Sequence, residues 1–334
     1  MKISVIIPVR NEAASVPKLL ESLTSQSLTP AEILITDTGS TDGTPEIVEA
    51  FDAGHLPVHL IRAGHGYPGR GRNLGARQAG SEWLAFIDAG VTPDQCWLES
   101  LAEPVQSPGE VDVVYGSFQP VTDTFFKECA AIAFVPPAVS VNGQPMRTRS
   151  IASALMRRSV WLAVGGFPED LRSAEDLLFM DRIEAADFRI AYAPKALVHW
   201  NIQPTFGKTF RRFVTYSQHN IRAGLWKHWQ RTIFRRYFVL LLLALPIFLL
   251  DRSWLAIWLF VPVLAWLLMI VSRSIIAIRR NRYCYPAGIG RNLARLTLLA
   301  PLLAVIDMAA IVGSVQWLLT DRSYSKLESS GGRP

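Results

Sequence analysis

Three short stretches of the chain place carboxylates where a parallel sheet would gather them. The apolar run Ile33–Ile35 ends on Asp37, a second run ends on Asp88, and Glu175-Asp176 opens a segment with helical spacing. In an open α/β sheet, ligands bind beyond the carboxyl ends of the strands, so Asp37 and Asp88 should face that crevice. An acid whose pKa is raised by burial and by a neighbouring carboxylate can act as a general base. These residues therefore predict a site for ligand binding and proton transfer.

A glycine-rich loop with several arginines follows the third predicted strand. Gly64–Gly69 matches G-x-G-x-x-G and opens a helix, and Asp88 lies where a ribose-binding acid would, so an NAD(P)-dependent oxidoreductase is one interpretation. Against it, Pro68 lacks a backbone N–H that a pyrophosphate would need. Arginine pairs bidentately with phosphate, and a helix N-terminus adds its dipole. The loop therefore also fits a nucleotide diphosphate, with Arg72 and Asn73 as the predicted contacts.

The segments around these motifs alternate between strand-like and helix-like patterns. Short β-branched runs predict strands at Ile3–Val9, Ile33–Asp37, Val58–Arg62, Trp83–Asp88, Val111–Gln119, Ile151–Arg157 and Phe188–Ala193. Helical spacing predicts helices around Val16–Leu23, Pro45–Phe51 and Ser173–Ala186. This alternation favours an α/β fold with a parallel, doubly wound sheet. Residues 122–149 show little periodicity and are expected to form loop and short helix.

Charge is divided unevenly along the 334 residues, half of which are apolar. Residues 1–199 carry 16 basic and 24 acidic side chains, whereas residues 200–334 carry 18 basic and 4 acidic ones. A basic, apolar segment behind an acidic domain favours contact with anionic lipid headgroups over nucleic acid. The three cysteines lie far apart and fit neither a disulfide framework nor a zinc site, which indicates a reducing compartment. The N-terminal apolar run is short and indicates a strand, not a signal peptide.

The C-terminal segment has the pattern of a membrane region. Residues 204–236 interleave aromatic and cationic side chains, as helices in the headgroup region do. Three apolar runs follow, at 237–250, 254–271 and 296–319. The first is short for a span, and the third carries Asp307, which could bind an acceptor or pair with an interior arginine. The loop between the last two runs carries six arginines and no acid, so the positive-inside rule places it in the cytoplasm. Residues 321–334 form a polar tail.

Four segments, taken in order, resemble the family 2 glycosyltransferases of the GT-A fold. They are V-I-I-P-V-R-N-E, I-T-D-T-G-S-T-D-G-T, G-R-G-R-N-L-G-A-R-Q-A-G-S-E-W-L-A-F-I-D-A-G and G-G-F-P-E-D-L-R-S-A-E-D-L-L-F-M-D-R. The resemblance covers about residues 3–200. It implies a GT-A-type doubly wound mixed sheet in residues 1–203 and an inverting transferase that uses a nucleotide sugar.

The resemblance also implies roles for individual residues. The donor-binding set would be Pro8, Arg10, Glu12, Asp37, Arg72, Asn73, Asp88, Ala89 and Gly90. Asp176, paired with Glu175, would be the catalytic base. The metal motif D-x-D is Asp88-Ala89-Gly90 here, so the second acid is missing. Mn²⁺ or Mg²⁺ would then be held by Asp88 and the diphosphate, with His199 as a further ligand. Alternatively, Arg72 and neighbouring cations neutralise the leaving group without a metal ion.

The sequence thus predicts a multi-pass protein of the cell (inner or plasma) membrane with a cytoplasmic catalytic domain. It would transfer a sugar from a nucleotide sugar to a lipid or lipid-linked saccharide in polysaccharide biosynthesis. Because the Q-x-x-R-W motif of processive members is absent, a single addition is favoured. Two alternatives stay open: a catalytically inactive nucleotide-sugar-binding membrane protein, suggested by Gly90, and the oxidoreductase.

Overall fold

A computed structural model describes residues 1–106, 111–141, 143–147, 149–227, 229–245 and 255–329. The strands are β1 (Ile3–Val9), β2 (Glu32–Asp37), β3 (Val58–Arg62), β4 (Trp83–Phe86), β5 (Val91–Pro93), β6 (Val113–Pro120), β7 (Val139–Val141), β8 (Gln144–Met146), β9 (Ala154–Arg157) and β10 (Ile190–Trp200). The helices are α1 (Val16–Thr24), α2 (Thr44–Glu49), α3 (Pro68–Gln78), α4 (Trp97–Gln106), α5 (Phe125–Phe134), α6 (Arg158–Ala163), α7 (Glu175–Ala185), α8 (Phe206–Arg222), α9 (Gln230–Ala244), α10 (Leu255–Arg280) and α11 (Ile289–Ser329).

The chain forms two compact units. The first contains Met1–Val121 and Ala138–Asn201, and the second contains Thr122–Pro137 and Ile202–Pro334. The stretch expected to be loop and short helix thus includes the ten-residue helix α5, which belongs to the second unit. A β7–β8 hairpin follows it in the first unit.

The first unit is built on a mixed sheet whose described strands follow the order β3-β2-β1-β4-β9-β6-β10-β5. β1 lies between two parallel neighbours, with Val9 opposite Asp37 of β2 and Ile6 opposite Phe86 of β4. Since β1 is buried on both faces, its continuous apolar run is what a central parallel strand requires. The register brings the carboxyl ends of β1, β2 and β4 to one edge of the sheet.

The sheet departs from the all-parallel expectation at two places. β9 runs antiparallel between β4 and β6, and β5 pairs antiparallel with β10. The mixed sheet implied by the family resemblance is therefore confirmed, and the purely parallel one is wrong. The sequence predicts that the last strand ends at Ala193, but β10 continues to Trp200. It pairs with β6 on both sides of a register shift between Tyr192 and Leu197. Pro194 interrupts the apolar pattern at that point.

Helices cover both faces of this sheet. α1 places Leu19, Leu20 and Leu23 on one face, in a cluster with Val5 and Ile7. The opposite face carries a second cluster, made of side chains from β1, β4 and α7: Ile6, Phe86, Phe179 and Ile183. Burying each large apolar side chain contributes roughly 1.5–3 kcal/mol, so these two layers fix the strand ends that carry the acids.

In the second unit, α5 is joined to α11 by charge. Glu128 accepts hydrogen bonds from Arg291 and Arg295, and Arg295 is 3% exposed. Cys129 and Ile132 pack on Leu299 beside this cluster. The contact holds α5 against a helix that lies more than 150 residues further along the sequence.

Close backbone contact joins α8 to α11. A Cβ at Gly313 would lie 2.4 Å from the carbonyl oxygen of Val214 and 2.8 Å from Cβ of Ser217. The Ser217 hydroxyl donates to the Ala310 carbonyl at 2.7 Å. The glycine therefore permits a helix approach that a side chain would prevent.

Within the part of the chain that the structure describes, two helices are long and apolar enough to cross a membrane, Phe260–Arg280 and Ile289–Thr320, each with a mean hydropathy of 2.2. They overlap the predicted runs 254–271 and 296–319. The predicted run 237–250 begins in α9, and its residues 246–250 lie outside the described part of the chain. Asp307 of α11 is buried and pairs with Arg273 of α10 through both of its oxygens, which matches the interior-arginine alternative.

Candidate active site

One buried guanidinium links two carboxylates from distant parts of the chain. Arg72 of α3 is 3% exposed and donates to Asp88 Oδ1 and to Glu175 Oε1, both at 2.7 Å. Burial alone would lower the pKa of Arg72, but the carboxylates of Asp88, Glu175 and Asp176 outweigh it and raise that pKa. Arg72 therefore stays a cation and attracts three acids at once.

Asp88 follows β4 at the edge where the parallel strands end. Its side chain is 41% exposed, so a ligand can reach it although Oδ1 is bonded to Arg72. Ala89 is buried beside it, and Gly90 is exposed. A Cβ built on Gly90 meets no atom within 4 Å. The missing second acid is therefore a matter of residue type, since the space for a side chain is present.

Glu175 and Asp176 open α7. Ala174, just before them, has φ of 71°, in the left-handed region that costs an L-residue roughly 1–2 kcal/mol. Burial and the Asp176 carboxylate raise the pKa of Glu175 to about 7, against the opposing effect of Arg72. Burial also raises the pKa of Asp176, whose Oδ1 accepts from the Leu177 N–H at 2.9 Å. The pair can hold a proton near neutral pH.

Asp37 lies at the end of β2 and is 5% exposed. Its carboxylate accepts the N–H groups of Gly39 and Ser40, each at 3.2 Å. Gly39 has φ of 90°, which glycine adopts without strain. Asp37 thus shapes the turn after β2, at the edge of the sheet where β1 also ends.

The loop after β1 carries the other residues expected to bind a donor. Glu12 accepts the Ser15 hydroxyl, and its own N–H donates to Thr44 Oγ1 at 2.9 Å. Arg10 lies 3.5 Å from the His65 ring. Pro8 is within β1 and packs close to Gly71, where a Cβ would lie 3.0 Å from its own. Arg10 and Glu12 therefore lie just beyond the carboxyl end of β1, and Pro8 packs against α3.

Asp42 joins the β1 loop to the β2 loop. Its carboxylate accepts the Ala13 N–H at 3.0 Å and the Thr44 N–H at 3.1 Å. Asn11 adds a second link, since its Oδ1 accepts the Thr41 N–H at 2.8 Å. These bonds hold the two loops in one arrangement.

Asn73 is expected to contact the donor, but its side chain is hydrogen-bonded to other residues of the protein. Oδ1 accepts from Phe167 N at 2.9 Å and Trp161 Nε1 at 3.0 Å. Nδ2 donates to Phe167 O and Glu169 Oε1, both at 2.9 Å. An amide has two donors and two acceptor positions, so all four are used. The geometry does not support a donor contact by Asn73 and makes it the link between α3 and the 165–169 turn.

His199 does not lie in a cluster of metal ligands. Its Nε2 is 2.7 Å from Asp94 Oδ1. Among the described residues, no group of three or more histidine, cysteine or acidic side chains could hold a metal ion. The arrangement therefore does not support His199 as a ligand, and Asp88, whose side chain is 41% exposed, stays the predicted carboxylate ligand. That donor set fits a divalent ion only if the ligand's own oxygens supply most of the coordination.

The comparisons with known proteins identify the family. The Glycosyl transferase family 2 profile matches residues 4–161. Glycosyltransferase AglE of Haloferax volcanii is 29% identical over 255 residues, 74% of this chain and 81% of that protein. Succinoglycan biosynthesis protein ExoA of Rhizobium meliloti is 30% identical over 241 residues, 66% of this chain and 72% of that protein. The chain belongs to glycosyl transferase family 2. The oxidoreductase interpretation of the glycine-rich loop is therefore wrong.

A solved structure agrees with this glycosyltransferase in fold. Mannosyltransferase PcManGT of Pyrobaculum calidifontis, in complex with GDP-Man and Mn²⁺, superposes with a TM-score of 0.53 at 19% identity. The match covers 95% of this chain and 87% of that one. The predicted GT-A fold is confirmed.

The contacts that bring the site residues of this glycosyltransferase together could not be predicted from the sequence. Arg72 and Glu175 are 103 residues apart, and nothing in their spacing indicates a bond. The ring of Phe167 stacks on Phe179 at 3.8 Å and faces the Arg72 guanidinium at 5.3 Å, and residue spacing indicates neither contact. The signal available was its place in the fourth family segment, G-G-F-P-E-D.

Proposed function

We propose that the protein transfers a sugar, with inversion, from a nucleotide sugar to a hydroxyl of a lipid or lipid-linked saccharide at a membrane surface. The observation that carries the proposal is the bridge from buried Arg72 to Asp88 and Glu175. It places a permanent cation beside an accessible carboxylate and next to a second carboxylate pair. Inverting transfer needs these two functions, one for the departing diphosphate and one for the proton of the acceptor.

Asp176 is the proposed base. In an in-line displacement the acceptor oxygen bonds to the anomeric carbon as the bond to the diphosphate breaks, and the acceptor proton passes to a carboxylate. A single base is enough, because the diphosphate leaves without protonation. The raised pKa of Asp176 favours accepting that proton. Glu175 holds Arg72 beside it, and this bond orients the guanidinium toward Asp88.

Most of the residues proposed to bind the donor lie at or just beyond the ends of the strands. Asp37 and Glu12 lie on the β1 and β2 loops and are proposed to hold the nucleoside, with Arg10 at the entrance. Arg72 and Asp88 are proposed to hold the diphosphate end. The PcManGT complex with Mn²⁺ supports a divalent ion, Mn²⁺ or Mg²⁺, which Asp88 would help to hold beside the diphosphate of the donor. Such an ion would neutralise charge on the leaving group.

The second unit supports membrane attachment. Its described acids include Asp123, Glu128 and Asp307, and each is paired with a specific lysine or arginine. Exposed cations on α8 and α9 have no such counter-charge on the same helices, whose sequences contain no acid: Lys208, Arg211, Arg231 and Arg235. Exposed apolar side chains follow on α9 and α10, among them Phe238 and Phe260. A cationic belt beside apolar helices suits an anionic bilayer surface.

The protein is a multi-pass protein of the inner or plasma membrane with its catalytic unit in the cytoplasm, where nucleotide sugars are made. The similarity to ExoA, a succinoglycan biosynthesis protein, supports an acceptor in polysaccharide assembly. The acceptor is proposed to carry its hydroxyl on a lipid anchor.

The test is an incubation of membranes that contain the protein with radiolabelled UDP-, GDP- and dTDP-sugars, with and without Mn²⁺, followed by lipid extraction. Label in the lipid fraction is expected for one donor and should disappear in Asp176→Asn, while nucleotide binding persists. Binding without transfer or donor hydrolysis would overturn the proposal and favour an inactive nucleotide-sugar-binding protein. Wild-type turnover in the variant would remove Asp176 from the mechanism.

A further inference from the structure

Phe167 lies where three elements of the site meet. Its ring stacks on Phe179 of α7 at 3.8 Å and contacts Phe86 of β4 edge-on at 5.3 Å. Its third neighbour is the guanidinium of Arg72 on α3, 5.3 Å from the ring centroid. Glu175 and Arg72 lie on α7 and α3, and Asp88 follows β4 by two residues. The ring is 3% exposed, so its position is set by packing and not by solvent.

The turn that carries Phe167 is pressed against α3 with no spare room. A Cβ on Gly69 would lie 2.0 Å from the Pro168 carbonyl oxygen. A Cβ on Gly166, whose φ is 71°, would lie 2.7 Å from Asn73 Oδ1. Both glycines are therefore needed for this approach, and Asn73 makes hydrogen bonds across it.

Asn73 forms hydrogen bonds with both the backbone N–H and the backbone carbonyl of Phe167. Its oxygen accepts the Phe167 N–H and its nitrogen donates to the Phe167 carbonyl, while Trp161 and Glu169 take the two remaining positions. The side chain is 4% exposed and adjoins Arg72 in sequence. Such a fully satisfied amide specifies one position for the ring and penalises any other, because displacement would leave buried polar atoms unpaired.

We propose that Asn73 is a positioning residue that acts through Phe167 on the guanidinium of Arg72. By fixing the ring beneath the guanidinium, it sets the direction in which Arg72 presents its N–H groups to the departing diphosphate. This role rests on the proposed function of Arg72. It replaces the direct donor contact that the sequence suggests for Asn73.

The test measures kcat and the donor KM of the full chain in membranes. Asn73→Asp keeps the shape but loses both donated hydrogen bonds, and Trp161→Phe removes only the bond to Oδ1. We expect kcat to fall about 10–100-fold in the first variant, because about 1 Å of misplacement costs that much, with the donor KM within about twofold of wild type. Trp161→Phe should give a smaller fall of the same kind. Glu169→Gln keeps an acceptor for Asn73 and should retain kcat, whereas Glu169→Ala should not.

A double-mutant cycle separates positioning from mere stability. In an Arg72→Lys background, Asn73→Asp should cause little further loss of kcat, since the group on which it acts is already changed. A raised KM with unchanged kcat would overturn the proposal in favour of a donor contact. Independent losses in the cycle, or full kcat in the folded variant, would reduce Asn73 to a structural residue.

Failure of the proposed function gives a different pattern. It shows as a wild-type protein that neither transfers sugar nor hydrolyses any donor. Hydrogen exchange of the peptides around Phe167 and around Glu175 then tests the positioning alone. Faster exchange in both peptides of Asn73→Asp, with wild-type exchange in β2, is expected. Unchanged hydrogen exchange around Glu175 would overturn the proposal that Asn73 acts on the Arg72 site through Phe167.

Discussion

Replacing Arg72 by glutamine should destabilise the first unit in a way that grows with pH. The variant removes a guanidinium that donates to Glu175 and to Asp88 at 2.7 Å each. Asp88 is 41% exposed and water can replace Arg72 as its partner, so losing this bond lowers the free energy of unfolding only a little. Glu175 is 4% exposed, and removing one partner of a buried ion pair costs about 3–5 kcal/mol.

The pH dependence follows from Glu175. Its pKa in the folded protein is raised from 4.5 to about 7, so between these values the folded state binds more protons than the unfolded one and stability falls as pH rises. Since one pKa unit corresponds to about 1.4 kcal/mol, the wild type loses about 3 kcal/mol over this window. Without Arg72 the pKa rises further. The variant therefore keeps losing stability above pH 7, by up to about 1.4 kcal/mol per pH unit, where the wild type has levelled off.

The assay is hydrogen exchange of the full-length protein in increasing urea at pH 5.5, 7 and 8.5, read in peptides from α3 and α7. Arg77→Gln is the matched control on the same helix. Arg77 is about half exposed, and its pair with Glu169 is 3.4 Å long, so its loss should cost less than about 1 kcal/mol at every pH. Equal effects of the two variants, or an Arg72 effect that stays constant above pH 7, would refute the reasoning.

Three further substitutions test separate features. Gly90→Asp places a carboxylate in open space next to Asp88 and should tighten Mn²⁺ binding about tenfold, as measured by titrating the metal against donor turnover. Gly313→Ala should destabilise the second unit by about 1–3 kcal/mol in thermal unfolding because its Cβ would strike Val214, whereas Gly290→Ala on the same helix meets no atom and should be neutral. Asp42→Ala removes the carboxylate that accepts the Ala13 and Thr44 N–H groups and so links the two loops, and it should cost about 1 kcal/mol in urea.

Local sequence patterns predict much of the secondary structure. The bounds of β1 and β3 agree with the sequence because each is a short β-branched run with a clear end. The sequence predicts an end at Ala193 because Pro194 breaks the apolar run, whereas the pairing of β10 with β6 continues to Trp200. β5 has three residues and no pattern of its own, since it exists only by pairing with β10.

The site was predictable as a list of residues and not as a set of contacts. Strand-end acids and a loop arginine have local signatures, which is why Asp37, Asp88 and Arg72 could be named. The bond from Arg72 to Glu175 depends on how α3 and α7 pack, and residue spacing holds no record of that packing. For the same reason the sequence predicts a ligand contact for Asn73, whereas its four hydrogen bonds go to Trp161, Phe167 and Glu169.

The assignment of α5 to the second unit has a consequence for biosynthesis. Cys129 and Ile132 are covered by Leu299, which the ribosome adds more than 160 residues later. At about 5–20 residues per second, that helix waits roughly 10–30 s with its apolar side uncovered. Cutting the gene after Asn201 to obtain a water-soluble enzyme would make this exposure permanent. A soluble fragment will therefore require the α5 surface to be redesigned, not merely a stop codon.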